Sequence, residues 1–274
     1  MLLDTPWPEL TFVSFDIEAT GPYPLEGEIC EIAAIKWEGG QVIGEFQTLI
    51  KPLYPMTDFI IGIHGITNEM VATAPSIGEK ISEFRDFIGG DILVAHHSPF
   101  DMGFLALEFE RARLPLPEEP VLCSSLISRK IITEAENHKL QTLIKVLNLN
   151  QGTAHRALDD AKACIELLNK CLERLGEDKT LRDLIDLQEK QLYWKNFSIE
   201  YLLKNESTRA ILNAIEKKKP VVIVYQGGSL KGERQVTPKG IVRSPDGDFL
   251  AALDEGDPQV KRFYLGKIKS AVCY

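Results

Sequence analysis

Thr11-Phe12-Val13-Ser14-Phe15-Asp16-Ile17-Glu18 reads as a short β-strand whose last residues carry two carboxylates. Alternate side chains on a strand share a face, so Asp16 and Glu18 point the same way. Two carboxylates side by side at the exit of an apolar strand repel each other, and a divalent cation removes that repulsion. Downstream, residues 31–37 and 41–51 form two more candidate strands joined at Glu38-Gly39-Gly40, a hairpin turn, which gives an antiparallel meander. Helical periodicity follows at 77–88, ending at Gly89-Gly90, and a brief apolar strand at 92–95. Further helices are expected at 101–112, 138–147 and 157–175. Strands first, then strands alternating with helices, predict an α/β fold: a mixed sheet flanked by helices.

Three more residues extend the acidic pair. Asp101 follows the second apolar strand at a helix start, and Asp160 lies near the start of the long helix, five residues after His155. Taken singly, an Asp-x-Glu at a strand end is more often a solvated terminus, a helix-start Asp a cap, and a lone His structural. As an ordered set, four carboxylates from separate segments can converge on two Mg²⁺ or Mn²⁺ ions, which prefer oxygen ligands. Such a pair can clamp the attacking and leaving oxygens of a phosphoryl displacement. An imidazole, which titrates at about 6.5 in water, suits removal of a proton from the attacking water.

The ordered motifs resemble the histidine branch of the DEDD exonuclease superfamily, the branch that holds proofreading-type exonucleases. Phe15-Asp16-Ile17-Glu18-Ala19-Thr20-Gly21 is similar to its first motif, Ala95-His96-His97-Ser98-Pro99-Phe100-Asp101 to its second, and His155-Arg156-Ala157-Leu158-Asp159-Asp160-Ala161 to its third. The resemblance spans about residues 10–175. It implies an RNase H-like sheet and a metal-dependent 3′→5′ exonuclease. Asp16, Glu18, Asp101 and Asp160 would be metal ligands and His155 the general base. It implies that Ala19, Thr20 and the loop around His64 and Ile66 border the terminal nucleotide; His96 and Phe100 are read either as further substrate contacts or as a hydrogen bond behind the site and core packing, respectively. His97 stands where the family usually carries Asn, and Ala19 where it carries Thr. Asp159, adjacent to Asp160, cannot share its helix face and is expected to be solvated or a helix-start charge. DNA, single-stranded for preference, is the expected substrate, with RNA the alternative; polymerase or repair partners are implied.

Composition sets the surroundings. Hydrophobic residues at 44% and charged residues at 26% are ordinary for a globular protein. No apolar run approaches the roughly 20 residues that span a bilayer, and the first ten residues lack a basic region before an apolar stretch, so a cytoplasmic protein is expected. The five cysteines show no Cys-x-x-Cys spacing, and no disulfide framework is expected. The net charge of −9 hides an asymmetry: 12 Lys+Arg against 7 Asp+Glu from Ser207 onward, and 19 against 33 before it.

That basic tail reads as a separate unit. Short strands at 221–225, 234–242, 249–253 and 262–265, punctuated by Gly227-Gly228, Asp246-Gly247 and Gly256-Asp257-Pro258, predict a small SH3-like β-barrel after a helix at 208–218. Tyr225, Arg234, Pro238, Gly240, Phe249-Leu250 and residues 261–268 resemble a WYL domain, although the Trp-Tyr-Leu signature is Asp248-Phe249-Leu250 here. Arg234, Arg243, Lys261, Arg262 and Lys267, with Tyr225, Phe263 and Tyr264, are candidates for a basic groove that binds single strands; a ligand-sensing role is the alternative. The expected division is an exonuclease unit at 1–175, a helical connector at 176–206 and the barrel at 207–274. Gln191-Leu192-Tyr193-Trp194 falls within the connector's periodicity and is read as packing.

Overall fold

A computed structural model describes residues 2–150 and 152–273. β1 (Phe12–Ala19), β2 (Ile29–Glu38) and β3 (Gln41–Leu49) form the expected antiparallel meander. Gly39 and Gly40 both take positive φ, as a two-residue hairpin turn requires. Two short helices follow, α1 (Asp58–His64) and α2 (Asn68–Val71), then α3 (Ile77–Ile88), β4 (Ile92–Ala95), α4 (Pro99–Arg111), β5 (Val121–Cys123), α5 (Ser124–Ile131), α6 (Leu140–Leu147) and α7 (Ala157–Leu175). β4 pairs parallel to β1, and β5 parallel to β4, giving a mixed sheet in the order β3-β2-β1-β4-β5.

Alternation along β1 divides the core. Val13, Phe15 and Ile17 pack with Phe84 of α3 and Phe104, Leu105 and Phe109 of α4. Phe12 joins α6 and α7 on the other face. Ser14, Asp16 and Glu18 share that second face, and Ser14 donates to the Ala161 carbonyl of α7 at 2.8 Å. The pleat therefore turns the two carboxylates of β1 toward the start of α7.

The connector is less helical than its periodicity predicts. α8 (Leu181–Leu187) is followed by single 3₁₀ turns at Trp194–Phe197 and Glu200–Lys204. Leu192, Trp194 and Phe197 are buried in the core beneath β1, with Trp194 stacked 6.1 Å from Phe15. Leu192 and Trp194 of the 191–194 segment are thus packing, while Gln191 is exposed. α9 (Glu206–Glu216) leads into β6 (Val221–Tyr225), β7 (Gly232–Val242), β8 (Phe249–Asp254), β9 (Val260–Tyr264) and β10 (Ile268–Cys273). These strands make an open antiparallel sheet, β10-β6-β7-β8-β9, backed by α9. The closed barrel expected from the sequence is not what the hydrogen bonds form: among the described residues β9 and β10 remain edges.

The loop after Thr20 is wedged between α4 and this second sheet. A Cβ on Gly103 of α4 would lie 3.3 Å from Pro24, and one on Gly240 of β7 would lie 2.6 Å from the Tyr23 Cβ and 2.7 Å from the Pro24 carbonyl. Lys239 pairs with Glu26 at 2.9 Å, and Leu25 packs on the second sheet's core. All five cysteines are free thiols. No helix among the described residues is long and apolar enough to cross a membrane.

Candidate active site

Four carboxylates and one imidazole meet at the end of β1. Asp101, in the first turn of α4 and 2% exposed, reaches β1 through its Oδ1, which accepts the Ile17 amide at 3.2 Å. Asp160, in the first turn of α7, accepts the His155 amide at 3.2 Å. Donor atoms of Glu18, His155 and Asp160 lie within 4.8 Å of one another. His155 itself is exposed and takes φ 58°, in the left-handed region.

The charges are poorly compensated. Burial raises the Asp16 pKa well above the carboxylate range, with Asp101, Glu18, Asp160 and Glu31 adding repulsion. Burial, then Asp160, Glu31 and Asp101, push Glu18 up to about 8, partly offset by Arg156. Asp101 is pushed up to about 8 by burial against the pull of the Ile17 amide. Burial also raises Asp160, against the neighbouring His155. An all-oxygen cluster whose carboxyls are all pushed toward the protonated form for want of a countercharge fits a hard divalent cation.

The sequence reading missed two residues beside these. Glu31 of β2 lies opposite Glu18 in register and is 0% exposed. Its carboxylate accepts Arg156 at 2.9 and 3.1 Å, the Ala157 amide at 3.1 Å and Gln47 at 2.8 Å. The available signal was one acidic residue inside the apolar run Ile29-Cys30-Glu31-Ile32-Ala33-Ala34-Ile35.

The expected substrate contacts divide. Ala19 and Thr20 are half-buried where the β1–β2 register shifts, and Thr20 Oγ1 accepts the Glu28 amide at 3.0 Å. Phe100 is 41% exposed and makes a tilted ring contact with Phe104. His64 and Ile66 are buried; His64 Nδ1 accepts the Ile66 amide at 3.0 Å, and Ile66 belongs to a small core with Cys30, Met56 and Val71. Those two side chains are turned into the core, so within the loop expected to border the nucleotide they anchor the chain from beneath. His96 has both ring nitrogens engaged, by Ser124 Oγ at 2.9 Å and the His138 carbonyl at 3.0 Å. Burial drives its pKa down to about 3, so it is a neutral strut between segments. His97 is exposed at φ 66°, a conformation that Asn and His tolerate better than most residues, which accounts for either at this position. Asp159 is half-buried and accepts the Thr153 amide at 2.7 Å, tying down the turn before α7.

The expected basic groove is smaller than the sequence suggested. Arg234 pairs with Asp254, and Lys261 with Asp257 at 2.8 Å. Arg243 is only 7% exposed, pairs with Asp248 at 3.0 Å and donates to the Ser198 carbonyl, so it fastens the second sheet to the connector. Arg262 and Lys267 are exposed, lying over the rings of Phe249 at 5.0 Å and Tyr264 at 5.5 Å. Phe263 is buried in the sheet's core.

Comparison with known proteins places this geometry. Residues 13–168 match the family model RNase_T, described as Exonuclease. DNA polymerase III PolC-type from Oceanobacillus iheyensis is 38% identical over 169 residues, which cover 62% of this chain and 12% of that protein. The PolC-type protein of Bacillus subtilis is 38% identical over 170 residues, with the same coverage of each. The chain thus spans only 12% of the length of these curated relatives. Among solved structures, Exonuclease X in complex with 5′ overhanging duplex DNA aligns with a TM-score of 0.52 and 26% identity, covering 65% of this chain and 99% of that one. E. coli Exonuclease I in complex with a dA16 oligonucleotide aligns at 0.51 over 89% of this chain and 55% of that one; at 16% identity this is a likeness of fold. Because the family model covers more than half of the sequence, including the segments that bear the clustered carboxylates and His155, the chain belongs to the RNase_T exonuclease family.

Proposed function

We propose that this chain hydrolyses DNA from a free 3′ end, single strands for preference, with help from divalent cations. The observation that carries this reading is the convergence of Asp16, Glu18, Asp101 and Asp160 from β1, α4 and α7, with exposed His155 alongside. Asp16, Glu18 and Asp160 would hold one Mg²⁺ or Mn²⁺, and Asp16 with Asp101 a second. When bound, such a pair lowers the pKa of water and stabilises charge on the oxygens of a displaced phosphodiester. His155 lies beside Glu18 and Asp160 and takes the proton of the attacking water. Phe100 offers a ring face to the terminal base, and Ala19 and Thr20 border it.

DNA is favoured by the PolC-type relatives, named as DNA polymerases, and by the DNA bound to Exonuclease X. The PolC likeness also makes a polymerase an expected partner. Residues 1–175 are assigned to cutting, 176–206 to connecting and 207–274, the WYL-like unit with its open sheet, to holding the strand. Arg262 and Lys267 laid over Phe249 and Tyr264 support the last assignment, since cations and aromatic faces together suit a single strand.

The test is degradation of 3′- and 5′-labelled DNA and RNA, single- and double-stranded, in Mg²⁺, Mn²⁺ or EDTA. Stepwise loss from the 3′ end, abolished by EDTA and by Asp16→Ala, is expected. Robust turnover in EDTA or by Asp16→Ala rejects the mechanism, and faster loss of RNA than of DNA reassigns the substrate.

A further inference from the structure

The acidic cluster contains a fifth carboxylate in a different environment. A carboxylate offers about four lone-pair sites. Glu31 has four donors on them: two from Arg156, one from Gln47 and the Ala157 amide. None is left for a cation, although Glu31 sits across the strand pair from Glu18. Burial works to raise its pKa, and the Arg156, Gln47 and Ala157 donors more than offset this, so its pKa is lowered where those of its neighbours are raised.

What Glu31 grips is the turn that carries His155. His155 is left-handed at φ 58°, Arg156 is extended at φ −125° and ψ 120°, and the helix begins at Ala157. A junction that changes conformation at each residue has no repeating hydrogen bonds of its own and must be held from outside. Asp160 holds the His155 amide and Asp159 the Thr153 amide, but both belong to α7. Among the described residues, Glu31 is what ties residues 153–157 to the sheet, through a bidentate Arg156 fork and the first amide of the helix.

We propose that Glu31 is the positioning residue of this site: by holding Arg156 and the Ala157 amide it fixes the turn into α7 and sets the His155 imidazole beside Glu18 and Asp160. This rests on the role proposed above for His155. A base acts only within hydrogen-bond reach of the proton it takes. A turn released from β2 lets the exposed imidazole swing while the acidic ligands stay on β1 and α4. Arg156 also brings the positive charge that partly offsets Glu18.

The experiment is a double-mutant cycle on the full chain: Glu31→Gln, His155→Ala and the two combined, with Arg156→Lys as a milder second variant. Single-turnover cleavage of a 3′-labelled oligonucleotide is measured in Mn²⁺, and amide hydrogen exchange without metal. Glu31→Gln and Arg156→Lys should each lower kcat by about 10–100-fold, the usual cost of losing an outer partner, with KM little changed. In the His155→Ala background Glu31→Gln should cost less than about threefold, because a group that acts through His155 has nothing left to position. The Ala157 amide should exchange faster in Glu31→Gln while amides of β1 and α4 keep their protection. If Glu31→Gln does not fold, Arg156→Lys carries the same cycle on a half-buried side chain. Near-wild-type kcat in the variants, or an equal penalty with and without His155, overturns the proposal. An inactive His155→Ala beside an unimpaired Glu31→Gln rejects the positioning role alone; a fully active His155→Ala rejects the base assignment and the positioning role with it.

Discussion

Asp101→Asn should make the metal-free protein more tolerant of high pH while removing activity. Folded Asp101 keeps its proton to about pH 8, whereas the unfolded chain releases it near 3.8. Between those values unfolding releases a proton, so this group's contribution to stability is full below 3.8, declines as pH rises and is gone at about 8. The slope is about 1.4 kcal/mol per pH unit for one group. From pH 5 to pH 7 the wild type therefore loses about 3 kcal/mol that the variant keeps. Asparagine is near-isosteric and its carbonyl can still accept the Ile17 amide, so the local structure is retained. At about 2–4 °C per kcal/mol for a chain of this size, the Tm of the variant relative to the wild type should rise by roughly 6–12 °C over that interval. The assay is thermal unfolding in EDTA at pH 5 and pH 7. Adding Mn²⁺ at pH 7 should stabilise the wild type by mass action and the variant much less. A Tm difference that is the same at both pH values would show that Asp101 does not retain its proton in the folded protein over that interval.

His155→Ala should slow single-turnover hydrolysis by about 10²–10⁴-fold, the range for a positioned proton acceptor, while Mn²⁺ titration still shows binding; an unchanged rate would make His155 structural. Arg262→Glu with Lys267→Glu should weaken affinity for long single strands and flatten its salt dependence, because each lost phosphate contact reduces counterion release. Binding across a salt series in Ca²⁺ checks this, and equal slopes for both proteins would remove the second sheet from substrate binding. Gly152→Ala should impair cleavage more than folding, since its Cβ would lie 2.3 Å from the Asp159 Cγ and displace the carboxylate that holds Thr153; a wild-type rate with an unchanged melting curve would count against that turn as part of the site.

Much of the fold was legible because its signals are local. The β2–β3 hairpin followed from two adjacent glycines, α3 from its apolar spacing and capping glycines, and α7 from an apolar stripe five turns long. β5 was not legible, because three residues carry no period, and β10 escaped because its exposed and buried residues alternate irregularly. The connector misled for a different reason: Leu181, Leu184, Ile185 and Leu192 are spaced like one helix face, yet the helix stops at Leu187, and Leu192, Trp194 and Phe197 are buried by fitting under β1. At the candidate site, the clustered carboxylates and His155 come from three short motifs and could be read. Glu31 and Arg156 could not, since 125 residues separate them and only folding reveals that one exists for the other. The same limit applies to Arg243, which looks like a nucleic-acid contact in sequence and is a fastener in three dimensions.

The wedge of Tyr23 and Pro24 against Gly240 sets a clock on biosynthesis. Residues 20–28 leave the ribosome early, but the surface that pins them is built from a strand made more than two hundred residues later. At about 5–20 residues per second, roughly 10–40 s pass before that strand exists. Throughout this interval the β1 carboxylates can already pair with β2, while the loop beside them has only α4 to lean on. A nascent chain therefore carries its β1 carboxylates, and later Asp101 and Asp160, before the adjoining loop has met the strand that pins it, so the last packing step beside the site waits on the second sheet.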